Sequence, residues 1–332
     1  MPPVKDDDLN ISPYKSPVEQ RNKYPTEAEN HYIHAATSDN TRRTYQGAIK
    51  RFIKWGGLLP ANKSSLVNYL TAHAAELNPR TLSIHMTAIS QWHQTQQIDD
   101  PTSHPDVRKT LKGIHKTHGK PKQKAKALRL EHLATMLKHL DTQPDSAKIR
   151  RDKALLLIGF FGAFRRSELV AIEFGHLIFE PEGLIISIEK SKTDQLSEGI
   201  QRAIPMNEEF PDCCPVKALH QWLEMAEISQ GAVFRGISRW GKIMDKPLYA
   251  GSISDILKSL AAQAGLDFAP ELSAHSFRRG LSTSASRENV DFGLIKQQGG
   301  WKNDDMVRGY IEEGRLLEEN PAHALFESLK NF

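Results

Sequence analysis

The feature that most constrains this chain is a long basic run without acids. From Arg108 to Arg129 it reads RKTLKGIHKTHGKPKQKAKALR, with nine Lys and Arg and no Asp or Glu. Gly119, Pro121 and the Lys/Gln content suit a solvated connector. At 332 residues the chain is too long for one small core, and two domains are expected on either side of the run. A connector does not need nine uncompensated charges, whereas a strap across a phosphate backbone does. Nucleic-acid contact is therefore the expectation, with a plain linker as the alternative. Lys120, Lys122 and Lys124 are the candidate contacts.

Before the run, the pattern is helical throughout. Residues 1–30 are rich in Pro, Asp, Asn and Lys and read as a largely disordered tail. SDNTRRTYQGAIKRFIKWGG has capping residues in front and a glycine pair behind. Tyr45, Ile49 and Phe52 recur at helical spacing and face a core, while Arg43, Gln46, Lys50 and Lys54 fall on the other side. Residues 62–76 and 79–97 also read as helices, the second with a stripe of Leu82, Met86 and Ile89 continued by Trp92 or His93. The expectation is a bundle of about four helices. Arg42, Arg43 and Lys50 are its candidate DNA contacts.

After the run, near Leu128, LRLEHLATMLKHL is amphipathic and IRRDKALLLIGFFGAF is strongly apolar. Then the period changes. LIFE, PEG and LIISIEK read as strand, turn and strand; SKTDQLSEG is a loop and IQRAIP a third strand. PDCCPVKALHQWLEM and PLYAGSISDILKSLAAQAGL return to helix. The second domain is mainly α with a small antiparallel sheet near its front.

Several classes drop out. No run approaches the roughly eighteen apolar residues of a membrane span, and MPPVKDDDLN is not a secretory signal. Cys213 and Cys214 are adjacent, a poor disulfide and no metal spacing; a reducing, cytoplasmic compartment is expected, with no metal or cofactor. GISRWGKI at 236–243 nearly spells a phosphate-binding loop, but Ile243 stands where its Ser/Thr belongs. A DNA-facing loop with Arg235, Arg239 and Lys242 is the preferred reading.

The residues able to carry chemistry are scattered. GAFRRSEL supplies Arg165 and Glu168 after a buried helix. HSFRRG supplies His275 and Arg278, one helical turn apart. Lys192 sits in the hairpin loop, and GGWKNDDMVRGY supplies Trp301 and Tyr310. Each is ordinary alone: Tyr310 suits a helix-face tyrosine in a core, and Arg165 can simply pair with Glu168.

Taken in order, R-x-S-E-L at 165–169, the Lys of SKT at 191–193, H-S-x-R at 275–278, GGW at 299–301 and Tyr310 resemble the catalytic set of the tyrosine recombinases, the phage-integrase family. Trp301, where many relatives carry His, resembles the Cre-like subset. The resemblance runs from about residue 38 to the end of the chain. It implies a helical, SAM-like core-binding domain at 31–118, a basic linker at 119–127 and a mixed α/β catalytic domain at 128–332. It also implies double-stranded DNA at a specific site as substrate, two protomers on a site, four in a synapse, and strand exchange through a Holliday junction.

The residue types suit that chemistry. Planar guanidiniums clamp two phosphate oxygens and keep their charge, so Arg165 and Arg278 can stabilise the transition state without a metal. Tyr310 is the nucleophile of a 3′-phosphotyrosyl link, Lys192 the general acid and His275 a candidate proton acceptor. Trp301 can donate a hydrogen bond but cannot shuttle a proton. Glu168 orients Arg165 or His275, or is a plain first-turn helix acid. The rival readings are a topoisomerase-like nicking and rejoining enzyme and a catalytically idle DNA-binding relative.

Overall fold

The computed structural model describes residues 36–121, 123–188, 199–315 and 322–329. The expected tail at 1–30, the loop carrying Lys192, and Lys122 lie outside the described residues. The chain divides into two units, Met1–Lys122 and Gln123–Phe332. The division falls within the stretch read as a linker.

Among its described residues the first unit holds four α-helices: α1 (Asp39–Trp55), α2 (Lys63–Ala72), α3 (Pro79–Thr95) and α4 (Pro105–His118). Each start has a local cause. Ser38 accepts from the Thr41 N–H, Asn62 from Ser65, Asn78 from Arg80 and His104 from Asp106, relieving helix donors that have no partner inside the helix. Ile49, Phe52, Leu66, Tyr69, Leu70, Leu82, Met86 and Ile89 form the core. His93, not Trp92, completes the buried stripe of α3. Its Nδ1 donates to the Ile89 carbonyl at 2.8 Å and its Nε2 accepts from the Ala61 N–H at 3.0 Å, so the ring is the neutral Nδ1–H tautomer. The basic run is not all linker: Arg108, Lys109, Lys112 and Lys116 lie exposed on α4, because its buried Val107 and Ile114 give that stretch an inner face.

The second unit begins with α5 (Leu130–Asp141) and α6 (Ala147–Phe161). The second half of helix α6 is apolar all round and is buried accordingly, from Ala154 to Phe160. A short α7 (Arg166–Val170) leads to β1 (Leu177–Glu180), β2 (Gly183–Ile188) and β3 (Ile200–Pro205), an antiparallel sheet in the order β1-β2-β3. After α8 (Pro215–Met225), GISRWGKI is not an open loop. It forms most of a hairpin of β4 (Arg235–Ile237) and β5 (Ile243–Pro247). The remaining helices are α9 (Ser252–Gln263), α10 (His275–Arg287), α11 (Phe292–Gly299), α12 (Asp304–Arg315) and α13 (Ala322–Leu329). The fold is mainly α with small antiparallel sheets, as expected.

Helix α10 is the centre of the unit. Phe277 packs into the main core. The segment entering the unit lies along this helix, with Leu128 N–H donating to the Ser276 carbonyl at 3.1 Å. A Cβ on Gly280 would stand 1.8 Å from the Leu128 carbonyl oxygen, so the glycine of HSFRRG is required by close backbone approach.

Candidate active site

Arg165 precedes α7 in extended backbone and Glu168 sits on its first turn. The Glu168 carboxylate accepts from the Arg165 backbone N–H at 2.9 Å and pairs with the same residue's guanidinium. Glu168 is buried, while the Arg165 side chain keeps partial exposure. One carboxylate thus caps the helix and aims the arginine, so the helix-acid and orienting roles coexist.

Arg278, on α10, is 3% exposed. Its Nη1 donates to the Ala163 carbonyl at 2.6 Å, and its guanidinium lies 4.4 Å from the centre of the Trp301 ring. Nη2 is buried with no hydrogen-bond partner among the described residues, and so is Trp301 Nε1. Burial, then the nearby Arg165 charge, push the Arg278 guanidinium down to about 10. It therefore remains charged at neutral pH. His275 begins the same helix and is exposed, one turn before the buried Arg278.

Tyr310 is half-buried on α12. It packs with Ile295, Trp301 and Val307, its ring centre 6.1 Å from that of Trp301. Thr283 Oγ1 donates to the Tyr310 carbonyl at 3.4 Å, tying α12 to α10. Arg165, Glu168, Arg278, Trp301 and Tyr310, dispersed along the chain, thus belong to one neighbourhood. Lys192 lies outside the described residues.

Two arginines escaped the sequence reading. Arg279 is buried, with its guanidinium 5.4 Å from the centre of the Tyr310 ring. Arg202, on β3, is 2% exposed. Its charge is pushed down by burial, favoured by Glu168 and opposed by Arg165. The strand pattern held a signal for Arg202: Leu184, Ile186 and Ile204 are buried, and Arg202 shares the face of Ile204, directly opposite Ile186. An arginine thus occupies a position where a half-buried strand calls for an apolar residue.

Not every candidate DNA contact is available. Arg42 is held by Asp39 and the Thr37 carbonyl at the start of its own helix. Arg235 donates to the carbonyls of Ala232 at 2.9 Å and Gln230 at 2.7 Å, and faces Asp245 at 3.5 Å. Arg42 serves the start of its helix and Arg235 its own loop. Arg43, Lys50, Lys120, Lys124, Arg239 and Lys242 are exposed.

Residues 126–315, more than half of the chain, match the model of the phage integrase family. The chain belongs to that family. It is an enzyme of DNA strand cleavage and rejoining. An integrase/recombinase XerD homolog of Selenomonas ruminantium is 34% identical, over 89% of this chain and 87% of the relative. The Cre recombinase of Escherichia phage P1 is 22% identical over 86% of this chain and 89% of its own. These matches show the family; they do not confirm the Cre-like subset that Trp301 suggested. The fold agrees. XerH bound to palindromic difH substrate in a post-cleavage complex has a TM-score of 0.59 at 18% identity, covering 84% of this chain and 80% of that one. A lambda integrase dimer bound to a COC′ core site has a TM-score of 0.58 at 16% identity, covering 86% and 92%. Among the described residues no helix is long and apolar enough to cross a membrane.

Proposed function

We propose that the chain is a site-specific recombinase that breaks DNA with Tyr310 and carries the broken strand as a 3′-phosphotyrosyl link. The supporting observation is a charge imbalance. Among the described residues Arg165, Arg202 and Arg278 interact electrostatically with one carboxylate, Glu168. Buried N–H groups of Arg202, Arg278 and Trp301 have no partner among the described residues. A purely structural ion-pair cluster would be balanced, because unpaired buried donors are costly. A phosphodiester supplies the missing negative charge and the acceptors.

In this reading Arg165 and Arg278 hold the non-bridging oxygens and Trp301 donates to one of them. The Tyr310 hydroxyl must give up its proton as it attacks phosphorus; His275 is the proposed acceptor. Lys192 gives a proton to the departing 5′-oxygen. The phosphotyrosyl bond conserves the phosphodiester energy, so rejoining reverses the step without a nucleotide cofactor. The first unit and the connector bind the flanking duplex through Arg43, Lys50, Lys120 and Lys124, with Lys122 a further candidate. Arg239 and Lys242 on the β4–β5 hairpin serve the second unit. Protomers act in pairs on a site and in fours in a synapse, through a Holliday junction. Helix α13 leaves Leu325, Phe326 and Leu329 exposed, an apolar stripe suited to covering by a neighbouring protomer.

The test is to isolate SDS-resistant protein–DNA complexes from cells making the wild type or Tyr310→Phe, and to sequence the attached DNA. The wild type should yield one recurring sequence and the variant none. An adduct that persists in Tyr310→Phe refutes the assignment of the nucleophile. Adducts without any common sequence would favour a topoisomerase-like activity.

A further inference from the structure

We propose that Arg202 is a positioning residue of the phosphate site: lodged in the turn before Trp301, it sets how Trp301 and Arg278 are presented to the phosphate. The inference rests on the recombinase reading above.

The contacts run in sequence. Arg202 Nη1 donates to the Gln297 carbonyl at 3.3 Å, in the last turn of α11. A Cβ on Gly300 would stand 2.0 Å from Arg202 Nη2. Gly300 has φ +59 and ends α11 in the left-handed conformation. The second glycine of GGW is therefore needed twice, for its backbone and for the guanidinium lying against it. The next residue is Trp301, whose ring carries the Arg278 guanidinium. A second tie joins the same elements: Gln298 Nε2 donates to the Ala203 carbonyl at 3.0 Å and to the Phe161 carbonyl at 2.7 Å. Strand β3 thus grips the α11 turn at adjacent residues.

Stability gives no reason for arginine here. Its inward position opposite Ile186 would accept an apolar side chain. Its Nε and Nη2 have no hydrogen-bond partner among the described residues, and its charge opposes that of Arg165 and Arg278. Buried charges of this kind are commonly replaceable by apolar residues without loss of stability. A third guanidinium beside the clamp becomes favourable once a phosphate arrives.

The experiment uses the full chain with Arg202→Met and Arg202→Lys. The probe is a duplex oligonucleotide bearing the sequence recovered from wild-type adducts, nicked so that cleavage is trapped. Thermal melting, gel-shift affinity and the single-turnover rate of adduct formation are measured. Arg202→Met should melt no lower than the wild type and bind within about three-fold, yet form adduct about 30- to 100-fold more slowly, the scale of a 1 Å misplacement in a reacting site. Arg202→Lys should recover part of the rate, since it restores the charge without the fork. Cleavage by Arg202→Met at the wild-type rate overturns the proposal. So does a loss explained by a smaller folded fraction. If the Met variant does not fold, Arg202→Lys decides, and a wild-type rate there overturns it. Absence of any adduct with the wild type is a separate outcome; it refutes the recombinase reading itself, and this proposal with it.

Discussion

Glu168 is the point at which fold and chemistry are hardest to separate, and Glu168→Gln separates them. The substitution keeps an amide oxygen for the Arg165 backbone N–H, so the helix cap survives. The lost element is the ion pair to the Arg165 guanidinium, in a residue only 5% exposed. A first-turn helix acid alone is worth about 0.3–1 kcal/mol. Breaking a fully buried pair costs about 3–5 kcal/mol. The Arg165 side chain is 16% exposed, so water can partly repair the loss and the expected value lies between, about 2–3 kcal/mol. At about 2–4 °C per kcal/mol for a unit of this size, the melting temperature should fall by roughly 5–10 °C. The variant then holds Arg165, Arg202 and Arg278 with no carboxylate paired to them among the described residues. Inorganic phosphate should fill that gap, and a site with a millimolar Kd gains about 2.7 kcal/mol at a hundred-fold excess of ligand. The assay is thermal melting of both proteins in phosphate against chloride at matched ionic strength. General salting-out raises both equally, so the diagnostic quantity is the difference between them, which should narrow in phosphate. A difference below about 1 kcal/mol would reduce Glu168 to a helix acid. A larger difference that phosphate does not narrow would mean that the arginines are not an anion site.

Lys192→Ala should slow cleavage of an ordinary phosphodiester but not of a 5′-bridging phosphorothiolate, whose leaving sulfur needs no proton; equal defects in single-turnover assays would make Lys192 a DNA contact. Replacing Leu325, Phe326 and Leu329 of α13 by Ser should leave binding of one protomer to a half-site unchanged and weaken filling of the full site at least ten-fold; gel-shift titration decides, and normal recombination would exclude a trans contact. Burial, then the Arg51 and His73 charges, lower the His85 pKa. Below its ordinary value of about 6.5 the unfolded chain binds the proton more readily. Stability is therefore full above that pH and falls as the pH drops toward the lowered folded value. Urea melts of the full chain from pH 7 to 5 should show this, and His85→Asn, which removes the titration, should flatten the slope.

Helices were legible wherever local rules suffice. The caps at Ser38, Asn62 and Asn78, the stripe of α3 and the apolar length of α6 are properties of neighbours in sequence, and their elements form where those rules place them. The three strands of the larger sheet were equally plain, since a period of two is also local. The β4–β5 hairpin was hidden because Gly236, Gly241 and three cationic side chains mimic a phosphate loop. The pairing of Ile237 with Ile243 that closes it becomes visible only in the fold. The site divides the same way. The motifs point to Arg165, Arg278, Trp301 and Tyr310, whereas Arg279 shows only by its burial and Arg202 only by its strand register. An arginine in IQRAIP reads as one polar residue of a half-exposed strand until β2 places Ile186 beside it and α11 brings Gly300 against its guanidinium. The glycine pair before Trp301 then acquires a physical cause. Gly299 leaves room for the indole, since a Cβ there would stand 1.7 Å from the Trp301 ring, and Gly300 leaves room for Arg202. GGW and the arginine of β3 are therefore two halves of one packing arrangement, and substitution of either half should disturb the same buried N–H groups of Arg278 and Trp301.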